Sequence, residues 1–216
     1  MVVRVVVETI LPADCPVCRL PLGEHIGGVC LACWSELRPW PGEPWLGAVA
    51  IAGAYEGRLR KIIRCLKFSG MSGLAEPLGC RLAERLAARV DQFDLVMPVP
   101  LHRLRRWRRG YNQSELIARS VARSLGRPLA TGILTRRRAT ASQRGRTRAG
   151  RAANVRGAFR ASHGALKDLK ETRILVVDDV VTTGATLAEC ARALAGAGAA
   201  QVLTAAVAGT VSRIES

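Results

Sequence analysis

Two adjacent acids, Asp178 and Asp179, follow the apolar run "RILVV" and precede "VVTTGAT". Past the spacers Val180 and Val181, this order sets carboxylates close to Thr182, Thr183, Gly184, Ala185 and Thr186, a stretch of small and hydroxyl-bearing residues. The following "LAECARALAGAG" reads as a helix, so the threonine stretch lies at a helix N-terminus, where unpaired N–H groups and the positive dipole end favour an anion. Gly184 lets a phosphate come close to the backbone. Carboxylates repel phosphate, so their useful partners are hydroxyls, a divalent cation, or both. A sugar phosphate satisfies the whole set, with its phosphate at residues 182–186 and its vicinal hydroxyls on the acids. Two neighbouring carboxylates stay ionised at neutral pH only when hydroxyls, a metal or nearby arginines offset their repulsion. Alternation along a strand also means that the two acids need not share one ligand.

A second constellation lies near the start, where Cys15-x2-Cys18 and Cys30-x2-Cys33 offer two pairs of thiols from turn-rich text. Four thiolates close a tetrahedral structural zinc site, and a redox pair would need only one CxxC. An element of about forty residues is too small to bury a sufficient core alone, so metal binding supplies folding free energy that burial cannot. His25, between the pairs, reads as a loop residue with four sulfurs already available. Cys65, Cys80 and Cys190 fall in apolar helical text and read as buried small hydrophobes.

The net charge of +16 is concentrated. Residues 101–160 hold 17 Arg and a single acid, Glu115, while the rest of the chain is balanced. A genomic preference for arginine would spread it evenly, so the clustering favours a polyanionic partner. "HRLRRWRRGYNQ" interleaves Arg105, Arg106, Arg108 and Arg109 with Trp107 and Tyr111, a composition suited to phosphate contacts and base stacking. Arg144, Arg146 and Arg148 extend the same positive block, and single-stranded DNA or RNA is the partner such a surface fits.

The elements that must position these residues alternate. "AVAIAGAY" reads as a strand, "GRLRKIIRCLKF" as an amphipathic helix, and residues 73–90 as a second helix broken near Pro77. "FDLVMPVP" reads as a buried strand, and residues 112–126 as a helix burying Leu116, Ile117, Val121 and Leu125 and stopping at Gly126. Residues 136–152 read as a mobile surface loop, with a short helical turn in "GRAANV". "RILVVDD" and "AQVLTAAVAG" complete a set of continuous apolar strands, which argues for a parallel sheet covered on both faces. "RPWPGEPW" reads as a stiff linker. No run is long and apolar enough to span a membrane, and the N-terminus does not read as a signal peptide, so a cytoplasmic location is expected.

"VVDDVVTTGAT" resembles the phosphoribosyl pyrophosphate (PRPP) signature of type I phosphoribosyltransferases. That resemblance implies that Asp178 and Asp179 contact the ribose 2′ and 3′ hydroxyls and that residues 182–186 bind the 5′-phosphate. It also implies a pyrophosphate loop at residues 99–103, with Leu101, His102 and Arg103, Mg²⁺ bound with PRPP, and a closing loop near residues 140–150. The cysteine pairs, "YEGRLRKIIRCLKFSG", "MPVPLHRLRRWRRGYNQSELIAR" and "RRATASQRGRTRAGRAANVRGAF", in the order they stand, are similar to the ComF family of competence proteins. This wider likeness implies an N-terminal zinc-binding element, residues 1–45, ahead of a type I phosphoribosyltransferase fold, residues 46–216. It also implies a role in handling single-stranded DNA during natural transformation. The Val-rich "MVVRVVVETILP" departs from the Leu-rich start expected of that family.

Three functions fit these readings. The first is a competence protein binding PRPP or a similar phosphosugar together with single-stranded DNA. The second is an active transferase moving phosphoribose to an amine or base with release of pyrophosphate. Where purine-salvage relatives carry an acid, this chain has Thr182, which disfavours purine salvage. The third is a scaffold whose zinc element docks a helicase or membrane channel protein.

Overall fold

A computed structural model of the chain describes residues 14–41, 45–46, 49–137, 155–161 and 169–210. Its centre is a five-stranded sheet in the order β3 (Trp45–Leu46), β4 (Val49–Ala54), β9 (Gln201–Gly209), β8 (Arg173–Val181) and β5 (Leu95–Pro98). Strands β4, β9, β8 and β5 run parallel, and β3 is an antiparallel edge on β4. Such strands are buried on both faces, which explains their unbroken apolar runs. Leu175 and Val177 of β8 pack into a core with the helices α2 (Gly57–Phe68), α3 (Ala75–Leu86) and α5 (Gln113–Ser124). Their neighbours Ile174 and Val176 pack on the opposite face with Leu187, Cys190 and Leu194 of α6 (Ala185–Ala195).

Helix α2 forms as its sequence dictates. Leu59, Ile62, Ile63 and Leu66 recur at helical spacing and are buried, each contributing about 1.5–3 kcal/mol. Helix α3 departs from expectation, because it runs unbroken through Pro77. Pro77 lies in the first turn, where an N–H has no intrahelical acceptor to lose. Helices α3 and α5 approach closely at Gly79, where an added Cβ would lie 2.5 Å from the Cβ of Ser120. Helix α5 ends as expected, with Gly126 in the left-handed region at φ 62°.

The cysteine element is built from β1 (His25–Ile26), β2 (Val29–Cys30) and α1 (Leu31–Ser35). Cys15, Val17, Leu22, Val29, Cys33 and Leu37 join the same hydrophobic cluster as α2, so this element packs directly on the sheet domain. The segment that follows is pinned too: Pro39 bridges Gly53, and Trp40 is buried in the opposite core. The expected loop at residues 140–150 and most of "GRAANV" lie outside the described residues. Around that segment, β6 (Leu134–Arg136) pairs antiparallel with β7 (Phe159–Ala161). No helix among the described residues is long and apolar enough to cross a membrane. Cys65 and Cys190 are buried as expected, but Cys80 is exposed, its sulfur 3.7 Å from the hydroxyls of Ser120 and Ser124.

Candidate functional site

The acids stand where one neighbouring strand has already ended. Pairing of β8 with β5 stops at Val177, whereas pairing with β9 continues through Asp178 to Val181. Strand β8 therefore outruns the expected "RILVVDD" by two residues and carries both acids within its ladder. The missing neighbour opens a cleft of about 940 Å³ beyond the carboxyl end of β5.

Asp179 points to the face carrying α2, where its Oδ1 lies 2.7 Å from Nζ of Lys67. Only 3% of Asp179 is exposed, and its Oδ2 has no hydrogen-bond partner among the described residues. A buried carboxylate oxygen without a donor is costly, so it marks a place for a hydroxyl, water or cation. Burial acts to lower the pKa of Lys67, but the Asp179 charge outweighs it and raises that pKa, so the amine stays cationic. Asp178 accepts from the Ser114 hydroxyl at 2.8 Å and from the Asp179 N–H at 2.9 Å. Burial, and then the Asp179 charge, push its pKa up to about 6, against the opposing pull of Lys67 and Ser114. Ser114 is held by the cap of α5, where Asn112 accepts from the Ser114 N–H and donates to the Val99 carbonyl.

This elevation has a measurable consequence. Between about pH 4 and pH 6 the folded protein binds more protons at Asp178 than the unfolded chain, so stability falls as pH rises through that window. At pH 7 the ionised carboxylate costs about 1–3 kcal/mol. Asp178→Asn keeps an acceptor for Ser114 and removes the charge, so it is expected to melt about 2–10 °C higher at pH 7. At pH 4 the difference should shrink; an equal gain at both pH values would contradict this account.

Residues 182–184 lead directly into α6, with Gly184 at φ 74° as its N-cap. Asp178, Asp179, Val180, Thr182, Thr183, Ala185 and Thr186 line the cleft, while Val181 is buried away from it. Of the expected pyrophosphate loop, Leu101 lines the cleft and His102 caps a helix, its Nδ1 accepting from the Leu104 N–H at 3.3 Å. That helix, α4 (Arg103–Arg109), was not apparent in the arginine-rich text; Arg103 is exposed at its start. Arg105, Arg108 and Arg109 face the cleft, whereas Arg106 pairs with Glu115 at 3.6 Å. Trp107 is 84% exposed. Tyr111 packs against the core and donates its hydroxyl to the Leu66 carbonyl, which commits that ring to structure. Arg144, Arg146 and Arg148 lie outside the described residues.

Sequence reasoning did not place Lys67 or Ser114 in the site, yet both line the cleft, as does Arg136 of the positive block. The signal for Lys67 was present: four residues after Ile63, it is a cation on the apolar face of an amphipathic helix. Lys67, Arg105, Arg108, Arg109 and Arg136 thus surround two acids, a surplus of positive charge suited to a polyphosphate. The described residues lining this cleft include no third acid and no histidine.

At the other end of α2, the sulfurs of Cys15, Cys18, Cys30 and Cys33 lie within 4.8 Å of one another. Cys15 and Cys33 sulfurs are 3.9 Å apart, and those of Cys18 and Cys30 are 3.7 Å apart. A tetrahedron with metal–sulfur bonds of about 2.3 Å has edges of about 3.8 Å, so the cluster fits zinc. The distances far exceed a disulfide bond, about 2.05 Å. Burial, followed by Cys30, pushes the Cys33 thiol up to about 12. Burial also acts to raise Cys15, but the backbone N–H groups of Cys30, Cys18 and Val17 bring it down to about 6. Four thiolates this close need a cation to be ionised together. Arg58 contributes a donor at 2.9 Å from the Cys33 sulfur, and Lys61 donates to the Val17 carbonyl at 3.0 Å. His25 is exposed near the Gly23 carbonyl, outside the cluster.

The parallel sheet, the acids at the end of β8 and the loop leading into α6 define a phosphoribosyltransferase-type domain, and the phosphoribosyl transferase domain family matches residues 111–215. The chain is 37% identical over 193 residues to the DNA utilization protein YhgH of Salmonella typhi, covering 87% of this chain and 80% of that one. It is 30% identical over 214 residues to Competence protein F of Haemophilus influenzae, covering 87% and 93%. The chain therefore belongs to the ComF/YhgH family of competence-type proteins. Among solved structures it is similar to the glutamine PRPP amidotransferase of B. subtilis, at 23% identity and a TM-score of 0.43, over 63% of this chain and 26% of that one.

Proposed function

We propose that the chain binds PRPP or a related phosphosugar, with Mg²⁺, in the cleft over Asp178 and Asp179. We further propose that its arginine-bearing surface holds single-stranded DNA during uptake in natural transformation, on the cytoplasmic side of the membrane. The observation carrying the first part is the buried Asp179 carboxylate with an unpartnered Oδ2, set beside a glycine-capped helix N-terminus. A sugar hydroxyl or its cation completes that oxygen, while the N–H groups of α6 receive a phosphate. Support for the DNA part comes from the exposed Trp107 among arginines of α4 and from relatives named for DNA utilization and competence.

Calorimetric titration of PRPP with Mg²⁺ is the test. Heat from the wild type, absent from an Asp178→Asn, Asp179→Asn variant, is the expected result. Asp178→Asn alone, which retains the Lys67 pair, serves as the folded control and should bind more weakly. No heat from the folded wild type would sink the reading.

A second reading, transfer of phosphoribose to an amine or base, is favoured by one feature. With a pKa raised to about 6, Asp178 sits in the range useful to a general acid or base. Pyrophosphate release on adding candidate acceptors would establish it. Binding without release across amines and bases leaves a ligand-sensing role.

A further inference from the structure

A second groove, of about 450 Å³, lies between the turn at residues 15–18 and α2. Val17, Arg19, Lys61, Arg64, Cys65 and Phe68 line it, giving three cations and no acid. Lys61, Arg64 and Phe68 are spaced three and four residues apart, so they share one face of α2 over about 10 Å of axis. Arg19 and Arg64 are exposed and have no ion pair among the described residues. Phe68, 70% exposed, lines both this groove and the cleft above the acids. The Arg109 guanidinium stands 5.2 Å from its ring centroid and holds one face by a cation–π contact.

We propose that this groove is a second nucleic-acid subsite. It receives the phosphodiester backbone of a single strand that passes over Phe68 into the arginine-lined cleft. This subsite rests on the nucleic-acid reading above and extends it to the cysteine element. An aromatic ring fixed at the ridge between two basic clefts suits base stacking, and cations spaced along one helix face suit successive phosphates. A free phosphosugar uses only one of the two clefts, and an acidic peptide offers no base to stack.

Fluorescence anisotropy of the metal-loaded full chain with labelled oligo-dT of about 16 nucleotides, across a salt series, tests the proposal. Arg19→Glu with Arg64→Glu is expected to weaken binding at least about tenfold and to lower the slope of log K on log salt by about 1.4, or 0.7 per lost phosphate contact. Phe68→Ala should cost about tenfold with the slope unchanged. Arg119→Glu, a single such reversal on α5 outside the linings of both clefts, should have little effect. If the groove variants keep wild-type affinity and slope while Arg108→Glu weakens binding, the groove is off the path and the broader reading stands. Equal binding of poly-glutamate would overturn the stacking role and the proposal with it. A wild type with no affinity for oligo-dT would remove the nucleic-acid reading and this subsite together.

Discussion

Lys67→Met is expected to destabilise the folded protein by about 3–5 kcal/mol at pH 7, the cost of leaving a buried carboxylate without its counter-ion. The Lys67 side chain is 18% exposed and that of Asp179 only 5%, so solvent has little room to replace the amine. Asp179 Oδ2 already lacks a donor, and losing Nζ would leave both carboxylate oxygens without side-chain partners. The comparison that isolates the cause is Lys67→Met with Asp179→Asn. Removing both charges should recover much of the loss, because an uncharged pair no longer carries the desolvation cost. Urea denaturation of the wild type, both single variants and the double variant measures this directly. A double variant as unstable as Lys67→Met plus Asp179→Asn summed would show that the pair is not coupled. Raised above its ordinary value, the Lys67 pKa makes its contribution present through neutral pH and lost only in strong alkali.

The second large effect concerns the cysteine cluster. One zinc ion per chain is expected by metal analysis of the purified protein, and its removal by a chelator should lower the melting temperature by about 10–20 °C. That range corresponds to about 5 kcal/mol in a chain of this length, part of the 10–16 kcal/mol that structural zinc supplies to small domains. The loss reaches beyond the element itself, because Cys15, Val17, Cys33 and Leu37 share a core with Leu59, Ile62 and Ile63 of α2. Cys33→Ser should reproduce the chelator effect and also release Arg58, whose Nη2 lies 2.7 Å from Glu36. Unchanged melting after complete metal removal would mean that packing on α2 alone holds the element.

Both predictions concern side chains packed on α2, yet their chemistry is written differently in the sequence. The cysteine pairs carry their chemistry in spacing, since two residues between thiols let one turn present both sulfurs to one ion. Lys67 carries no such local mark beyond its position on an apolar face; its partner is 112 residues away in the chain. Ser114 likewise reaches Asp178 across 64 positions. The arginine-rich stretch at residues 103–109 has no apolar period, so its helix was hidden. The His102 cap at its start and left-handed Gly110 at its end delimit it. Pro77 misled for a related reason, because a proline's effect depends on which turn of the helix it occupies.

The sequence by itself determined the parallel α/β class, the order of the acids ahead of a glycine-capped helix start, and the metal-type cysteine spacing. Apolar periodicity, glycine conformation and short-range ligand spacing act within a few residues. Tertiary structure alone decided that β5 stops at Val177 on its neighbour and so opens the cleft, and that Lys67 neutralises Asp179. It alone also decided that Tyr111 is spent on the core while Trp107 is exposed, and that the cysteine element leans on α2. Each of these depends on strand register or on contacts between distant segments, where burial and charge are set by what packs alongside and local residue order carries no record of it.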